Sequence, residues 1–510
     1  MKILLVYPRY PDTFWSFRHA LKFLFKKATF PPLGLLTVAA MLPQEWEKKL
    51  VDLNTTNLTD KDIKWADYVF MSAMVVQDDS AREVLDRCRK LGTKTVGGGP
   101  VFSVGYEEFG HEDVDHLISN EAEDLLPLFI EDLKNGCAKH SYASAVFPDI
   151  KKTPAPLWSL IDMKKYQAMS IQYSRGCPFN CEFCDIVIMN GHVPRTKDAG
   201  QIVAELDALY DMGWRANVFF VDDNFIGNKR KLKSEILPAI IRWMEERHHP
   251  FSFFTEASIN LADDEELMRL MVKAGFDTVF VGIESPNEES LVECNKMPNK
   301  GRDLLASVKK IQNHGLQVQG GFILGFDSDP LSIFKTHIDF IQKSGIVTAM
   351  VGVLMAPPGT KLYKRLKEEN RLLPGGTGDN TDGSTNFIPK MGYEALAKGY
   401  KQVVDTIYAP KPYYERIITF LKEYRPGSHA KIKFSVLHVI AFIRSTWVLG
   451  VQERGRFHYW KLFVWTLLKK PQTFPLSMTL AAQGFHFRKV AKEIRGHFAG
   501  DIPGWSKQQG

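Results

Sequence analysis

Cysteine is scarce in this chain: six in 510 residues, far too few to staple a secreted disulfide scaffold. A strong charge of one sign is missing too. The formal balance is +6, and 45% hydrophobic with 24% charged residues excludes a disordered, collagenous or coiled-coil chain. No run of 18 uninterrupted apolar residues occurs. The nearest, 434–451, is broken by His438, Arg444, Ser445 and Thr446, which argues against a spanning helix and leaves room for one lying on a surface. The apolar run of MKILLVYPRYPDTFW meets Tyr-Pro-Arg at once, too short for a secretory leader; it reads as a first β-strand. These absences predict an intracellular, cytoplasmic protein of about three domains at roughly 150 residues each.

The charge that is present lies unevenly. Residues 401–510 hold 18 Lys and Arg against 6 Asp and Glu, leaving 47 against 53 in residues 1–400. Structural signals divide the chain as well. Over residues 1–140, short apolar runs (ILLVY, LVDL, YVFMSAM, TVGGGP, DHLI) alternate with amphipathic stretches such as AREVLDRCRKLG, the pattern of a doubly wound, Rossmann-like α/β domain. Ser72 and Gly97-Gly98-Gly99 follow two of its strands, where such sheets take ligands, although turn residues would look the same. Residues 141–165 carry Pro148, Pro154 and Pro156 and read as a linker. From 166 to 375 the alternation resumes, with six strands starting near 171, 217, 252, 278, 319 and 349. Six βα units predict a partial barrel with its reactive groups at the strand C-termini. Residues 376–510 read as a basic, aromatic, mainly helical domain.

Three of the six cysteines, Cys177, Cys181 and Cys184, occupy one eight-residue loop after the first barrel strand. Three thiolates hold three irons of a [4Fe-4S] cluster and leave the fourth iron open, as a catalytic metal requires. A zinc knuckle completed by His192, or three structural cysteines, are the alternatives. Cys88, Cys137 and Cys294 stand singly and read as ordinary core or surface thiols.

The spacing CxxxCxφC, with Phe183 before its last cysteine, resembles the radical S-adenosylmethionine (SAM) superfamily. That resemblance implies a [4Fe-4S] cluster whose open iron chelates SAM. It implies reductive cleavage of SAM to methionine and a 5′-deoxyadenosyl radical, which removes hydrogen from an unactivated carbon. It also assigns SAM contacts along the barrel. Asp222, Asp223 and Asn224 in FVDDNFIG stand where the superfamily often has Gly-Gly-Glu for the SAM ammonium. Glu256 and Ser258 end the third strand, and Glu284 and Ser285 the fourth, from which related enzymes touch the ribose or methionyl portion. Gly321, Ile323 and Gly325 in GGFILGFD resemble the fifth-strand motif that lets adenine lie against backbone. Arg195 or Lys197 is a candidate partner for the SAM carboxylate, with a solvated surface charge as the competing account.

The first domain resembles the cobalamin-binding domain of B12-dependent radical SAM enzymes. The Asp-x-His-x-x-Gly signature is missing, and Asn54 stands in place of the axial histidine. Across FPPLGLLTVAAMLP, QYSRGCPFNCEFCD, FVDDNFIGNK and RGRFHYWKLFVW, the chain is similar to the hopanoid C-2 methylase family. This implies C-methylation of a hydrophobic, hopanoid or isoprenoid-like lipid, with cobalamin as methyl carrier and a reductant such as flavodoxin or ferredoxin as partner. KFSVLHVIAFIRSTWVLG and RGRFHYWKLFVWTLLKK interleave aromatic and aliphatic groups with Lys and Arg, as a helix at the inner membrane face or around a lipid would. A buried helical cap fits the same pattern. RNA binding fits less well, because the apolar residues are dense and the charges sit at the ends. Two further readings stay open: ring formation, rearrangement or dehydrogenation without methyl transfer, and a non-catalytic iron-sulfur protein that binds nucleic acid.

Overall fold

The computed structural model describes residues 1–102, 113–374, 378–379, 381–427 and 436–497. The boundary expected at 375/376, the Lys-Phe-Ser start of the first tail motif and the last 13 residues of the tail lie outside them.

Six strands, β1 (Lys2–Tyr7), β2 (Glu47–Asp52), β3 (Tyr68–Ser72), β4 (Lys94–Gly98), β5 (His116–Ile118) and β6 (Ser141–Tyr142), form a parallel sheet in the order β2-β1-β3-β4-β5-β6. Its central strands are continuous apolar runs because both faces are covered. Leu4, Val6, Val69 and Met71 join Val84 and Leu85 of helix Asp78–Leu91 on one face. Ile3, Leu5, Tyr68 and Phe70 join Leu35 of helix Leu33–Met41 and Phe129 of helix Ala122–Lys134 on the other. The doubly wound expectation is met. One detail differs: the segment read as linker supplies β6, which pairs with β5. Two residues are too few to show alternation in sequence.

The second sheet starts with β7 (Met169–Ile171). A short antiparallel pair, β8 (Ser174–Arg175) and β9 (Arg195–Thr196), brackets the cysteine loop. Then come β10 (Asn217–Phe220), β11 (Ser252–Glu256), β12 (Phe276–Glu284), β13 (Gln317–Leu324) and β14 (Ala349–Val353), in the parallel order β14-β13-β12-β11-β10-β7. β14 does not pair with β7, so this is a partial barrel. Burial alternates along its strands. Val218, Phe220, Phe253, Val279, Val281 and Phe322 are buried with residues of the surrounding helices such as Leu206, Ile240 and Met271. Phe219, Phe254, Glu256, Phe280, Ile323 and Met350 point the other way and keep partial exposure, which defines an open inner face. The intervening helices start and stop on ordinary signals. Asp198 caps Ala199–Asp211 with a Gln201 capping box, and Gly275 ends Glu265–Ala274 at φ 104°, where a side chain would meet Met244.

Helices Tyr393–Tyr408, Pro410–Glu423, Val436–Trp447, Arg456–Lys469 and Phe474–His497 follow. Their buried residues Tyr408, Tyr413 and Phe487 belong to the same core as the barrel. Residues 14–30, part of the expected first domain by number, cross into this core. Phe14 stacks on Phe487 with ring centres 4.4 Å apart, and the His486 ring bonds the Phe14 carbonyl at 3.0 Å. No described helix is long and apolar enough to cross a membrane.

Candidate active site

The cysteine loop is held by its neighbours on both sides. Gly176 precedes Cys177 at φ 97°, and an added Cβ would come within 2.9 Å of the carbonyls of Asn190, Gly191 and Val193; only glycine fits there. Asp222 is buried and accepts from Ser174 Oγ at 2.6 Å and Tyr173 N at 3.3 Å. Asp223 accepts from Gly176 N at 2.7 Å and Asn190 Nδ2 at 3.1 Å. Both carboxylates therefore shape the approach to Cys177. Asn224 Oδ1 accepts from Ser258 N at 3.2 Å, tying the end of the second barrel strand to the end of the third. On the far side, Arg365 grips Glu182, inside the loop, with two bonds of 2.8 and 3.0 Å, and reaches Asp327 at 2.9 Å. Such a forked pairing fixes orientation as well as position. Asn295 Nδ2 donates to the Asn180 carbonyl at 2.8 Å.

All three thiols are partly buried. Burial pushes Cys177 and Cys181 up and Cys184 up to about 12, so a bare thiolate is disfavoured unless a metal neutralises it. The sulfurs do not converge on a single ion: among the described residues, only Asp12, His19 and Glu493 bring three ligand atoms within 4.8 Å of one another. Thiolates on one zinc would lie about 4 Å apart at Zn–S bonds of about 2.3 Å. Three thiols on one loop are the cysteine complement for three irons of an iron-sulfur cube. Cys294 is buried and directs its thiol to the Leu291 carbonyl at 3.7 Å.

Lys296, which the sequence reading missed, completes the electrostatics. Burial opposes its charge, but Glu284 and the neighbouring Cys181 outweigh that and raise its pKa. It pairs with Glu284 Oε1 at 2.5 Å. Glu284 sits at φ 61° just past a register shift in β12, and a side chain at Gly282 would collide with both Glu284 and Lys296. A strained, non-glycine backbone at a strand end is the kind of strain found at functional sites. Lys296 was missed because it lies 12 residues beyond the strand-end motif, behind helix Glu288–Glu293. A Lys spaced that far from GIES carries no local signal.

The remaining expected residues divide into three groups. Glu256 faces the inner side of the barrel with no hydrogen-bond partner among the described residues; burial, then Asp223 and Asp222, push its carboxyl up to about 7. Ser258, Ser285 and Ile323 lie at neighbouring strand ends, Ser285 fully buried. Gly321 lets Phe280 lie across it, since a Cβ would come 2.8 Å from that ring, and Gly325 turns the chain at φ 105°. Phe183 packs beside Phe326 and Ile323.

Arg195 departs from the expectation of a SAM contact. Its guanidinium is taken by Glu121 (2.5 and 3.0 Å) and by the carbonyls of Pro148 and Asn190. With Arg175, which binds Glu121 and Glu123 at 2.6 and 2.8 Å, it latches the first domain to the barrel. Lys197 is likewise buried against Glu205.

In the first domain, Gly97 makes room for Phe102 and Val114, Gly98 lies 3.4 Å from the Ile118 carbonyl on the same Cβ test, and Gly99, at φ 86°, lies under Ser72 Oγ. The Asn54 amide is engaged within the domain: it donates to Asp52 at 2.7 Å and to the Pro8 carbonyl at 3.1 Å and accepts from Tyr10 N at 2.9 Å.

The inner face below the strand ends is aromatic. Phe219 and Phe254 stack at 4.8 Å and 6°. Phe30 closes on them at 5.2 and 6.0 Å, and Trp15 meets Phe280 at 5.4 Å and donates to Met350 Sδ at 2.9 Å.

Residues 171–341 match the Radical SAM superfamily, and residues 360–499 match a domain of unknown function, DUF4070. An uncharacterized methyltransferase of Synechocystis sp. is 41% identical over 97% of this chain and 93% of its own length. The hopanoid C-2 methylase of Rhodopseudomonas palustris is 32% identical over 97% and 95%. The cobalamin-dependent SAM radical enzyme OxsB, solved with aqua-cobalamin and SAM bound, superposes with a TM-score of 0.62 at 15% identity over 98% of this chain and 80% of that one.

Proposed function

Since the chain belongs to the radical SAM methyltransferase family that includes the hopanoid C-2 methylase, we propose that it methylates an unactivated carbon of an apolar, hopanoid- or isoprenoid-like lipid. The observation that carries the substrate class is the aromatic inner face of the barrel, where Trp15, Phe30, Phe219, Phe254 and Phe280 gather below the strand ends. Partly exposed rings in such number suit an apolar ring system that presents no hydrogen bonds.

When bound, a [4Fe-4S] cluster supplies an electron for SAM cleavage, and cobalamin, inferred from the relatives, supplies methyl carriage. Cys177, Cys181 and Cys184 would hold the cluster. Lys296 places a positive charge beside those thiols and fixes the Glu284 carboxylate, so that this pair can meet the polar parts of SAM. Glu256, unpartnered at the lip of the inner face, suits the SAM ammonium. Asp222 and Asp223 act on the chain leading into the cysteine loop rather than on the ligand, and Asn224 orders Ser258. Were cobalamin bound, Asn54, held by Asp52, Pro8 and Tyr10, would order the loop at the strand ends of the first domain. Electron delivery by a flavodoxin or ferredoxin and peripheral membrane contact through the C-terminal helices complete the reading.

The test is Phe254→Ala in the anaerobically reconstituted enzyme. The expected result is a rise of about tenfold in KM for a hopanoid, the scale of losing one aromatic contact of about 1.4 kcal/mol, with deoxyadenosine formation in the absence of lipid unchanged. An unchanged KM would show that the aromatic face does not hold the substrate.

A further inference from the structure

Part of the basic surplus of the last 110 residues lies on and between two helices with an unusual amount of exposed apolar area. Helix Arg456–Lys469 exposes Phe457 (75%), Val464 (51%) and Leu468 (75%), which recur at seven and four residues and so share one side of the helix. Trp460 (39%) lies on that side as well. Helix Val436–Trp447 exposes Val439, Ile443 (61%) and Trp447 (59%) at i, i+4 and i+8. Trp460 ties its helix to the turn after the other one, packing on Gly450 and donating to its carbonyl at 2.9 Å. Apolar patches of this kind on a folded chain mark an interaction surface.

The charges decide which partner fits. Between 436 and 470 the sequence has Arg444, Arg454, Arg456, Lys461, Lys469 and Lys470 against the single acid Glu453, and Glu453 faces Arg488. Lys461 and Lys469 flank the groove formed by Phe457, Trp460, Val464 and Leu468. Arg444 lies over the exposed ring of Phe25 at 4.5 Å. Aliphatic and aromatic side chains with long basic ones along their border match the boundary between acyl chains and anionic headgroups. We propose that these two helices dock the protein on an anionic bilayer surface.

Position strengthens the assignment. Phe25, at the edge of this surface, belongs to the same crossing segment that sends Trp15 and Phe30 into the inner face of the barrel. One stretch of 16 residues thus connects the docking surface with the proposed lipid site. The proposal rests on the lipid-substrate reading and specifies how that substrate is met.

Flotation of the full-length holoprotein with vesicles tests it without catalysis. Binding to vesicles of phosphatidylglycerol mixed with phosphatidylcholine is expected at low salt, with weaker binding as salt rises and little binding to phosphatidylcholine alone. Ile443→Asp with Leu468→Asp is expected to lower binding at least tenfold. Lys461→Glu with Lys469→Glu is expected to remove the preference for anionic vesicles. Lipid-independent deoxyadenosine formation should be unchanged in both, which shows that the fold and active site are intact. No flotation at low salt, full binding by the apolar variant, or a wild-type dimer that this variant converts to a monomer would overturn the proposal. Methylation of detergent-dispersed hopanoid is scored separately, so loss of docking and loss of the lipid reading are distinguishable.

Discussion

The two six-stranded sheets among the described residues share the same parallel sense, yet they spend their side chains differently. In the first sheet, the successive residues Ile3–Val6 of β1 and Tyr68–Met71 of β3 all enter a core, because helices lie on both faces. In the second, alternate residues enter the core and the others face an open concavity. A sheet covered twice is a scaffold whose chemistry is confined to its end; a sheet covered once has a wall on which a ligand can rest. The strained backbone at Glu284, the unpartnered Glu256 and the ordered cysteine loop all lie on the second.

If that difference governs function, damage should sort by sheet. The largest effect is expected from Lys296→Met. Removing one partner of a buried pair costs about 3–5 kcal/mol, and here it leaves Glu284 uncompensated next to the thiols. Cluster retention and deoxyadenosine formation should both fall sharply, while the far-UV circular dichroism of the whole chain persists. Gly97→Ala, in the first sheet, should cost about 1–3 kcal/mol by overpacking against Phe102 and Val114. Thermal melting measures that loss, and SAM cleavage per folded molecule should not change. The smallest effect concerns pH. Burial holds the Glu256 carboxyl at about 7, above the ordinary 4.5, so the native state keeps a proton that the unfolded chain releases. Stability of the cluster-free chain should therefore decline as pH rises from about 4.5 to about 7. Glu256→Gln should flatten that slope in a denaturant titration series; an equal slope would place the titrating group elsewhere.

Much of this architecture was legible in sequence, for physical reasons that also explain the gaps. Alternating βα units announced both sheets, and three closely spaced cysteines after a strand announced the cluster loop. The distinction between the sheets was not legible. NVFFV, SFFTE and TVFVGIE are apolar at nearly every position, since the inner wall is aromatic, and so they look like the doubly buried ILLVY. The crossing of residues 14–30 was equally hidden, because Trp15 and Phe30 meet partners 189 to 335 residues away. Asp222, Asp223 and Arg195 had the right chemistry for a ligand. Only three-dimensional neighbours show that the two aspartates order Ser174 and Gly176 and that Arg195 grips Glu121. Asn54 belongs with them, its amide consumed by Asp52, Pro8 and Tyr10.

The most direct test of the account is mass spectrometry of a hopanoid incubated anaerobically with the cluster- and cobalamin-loaded enzyme, SAM and a strong reductant. The account predicts a lipid product heavier by one methylene together with deoxyadenosine, both absent for Cys181→Ala. Deoxyadenosine without methylated lipid from any polycyclic or isoprenoid substrate offered, or methylation that survives Cys181→Ala, would contradict it.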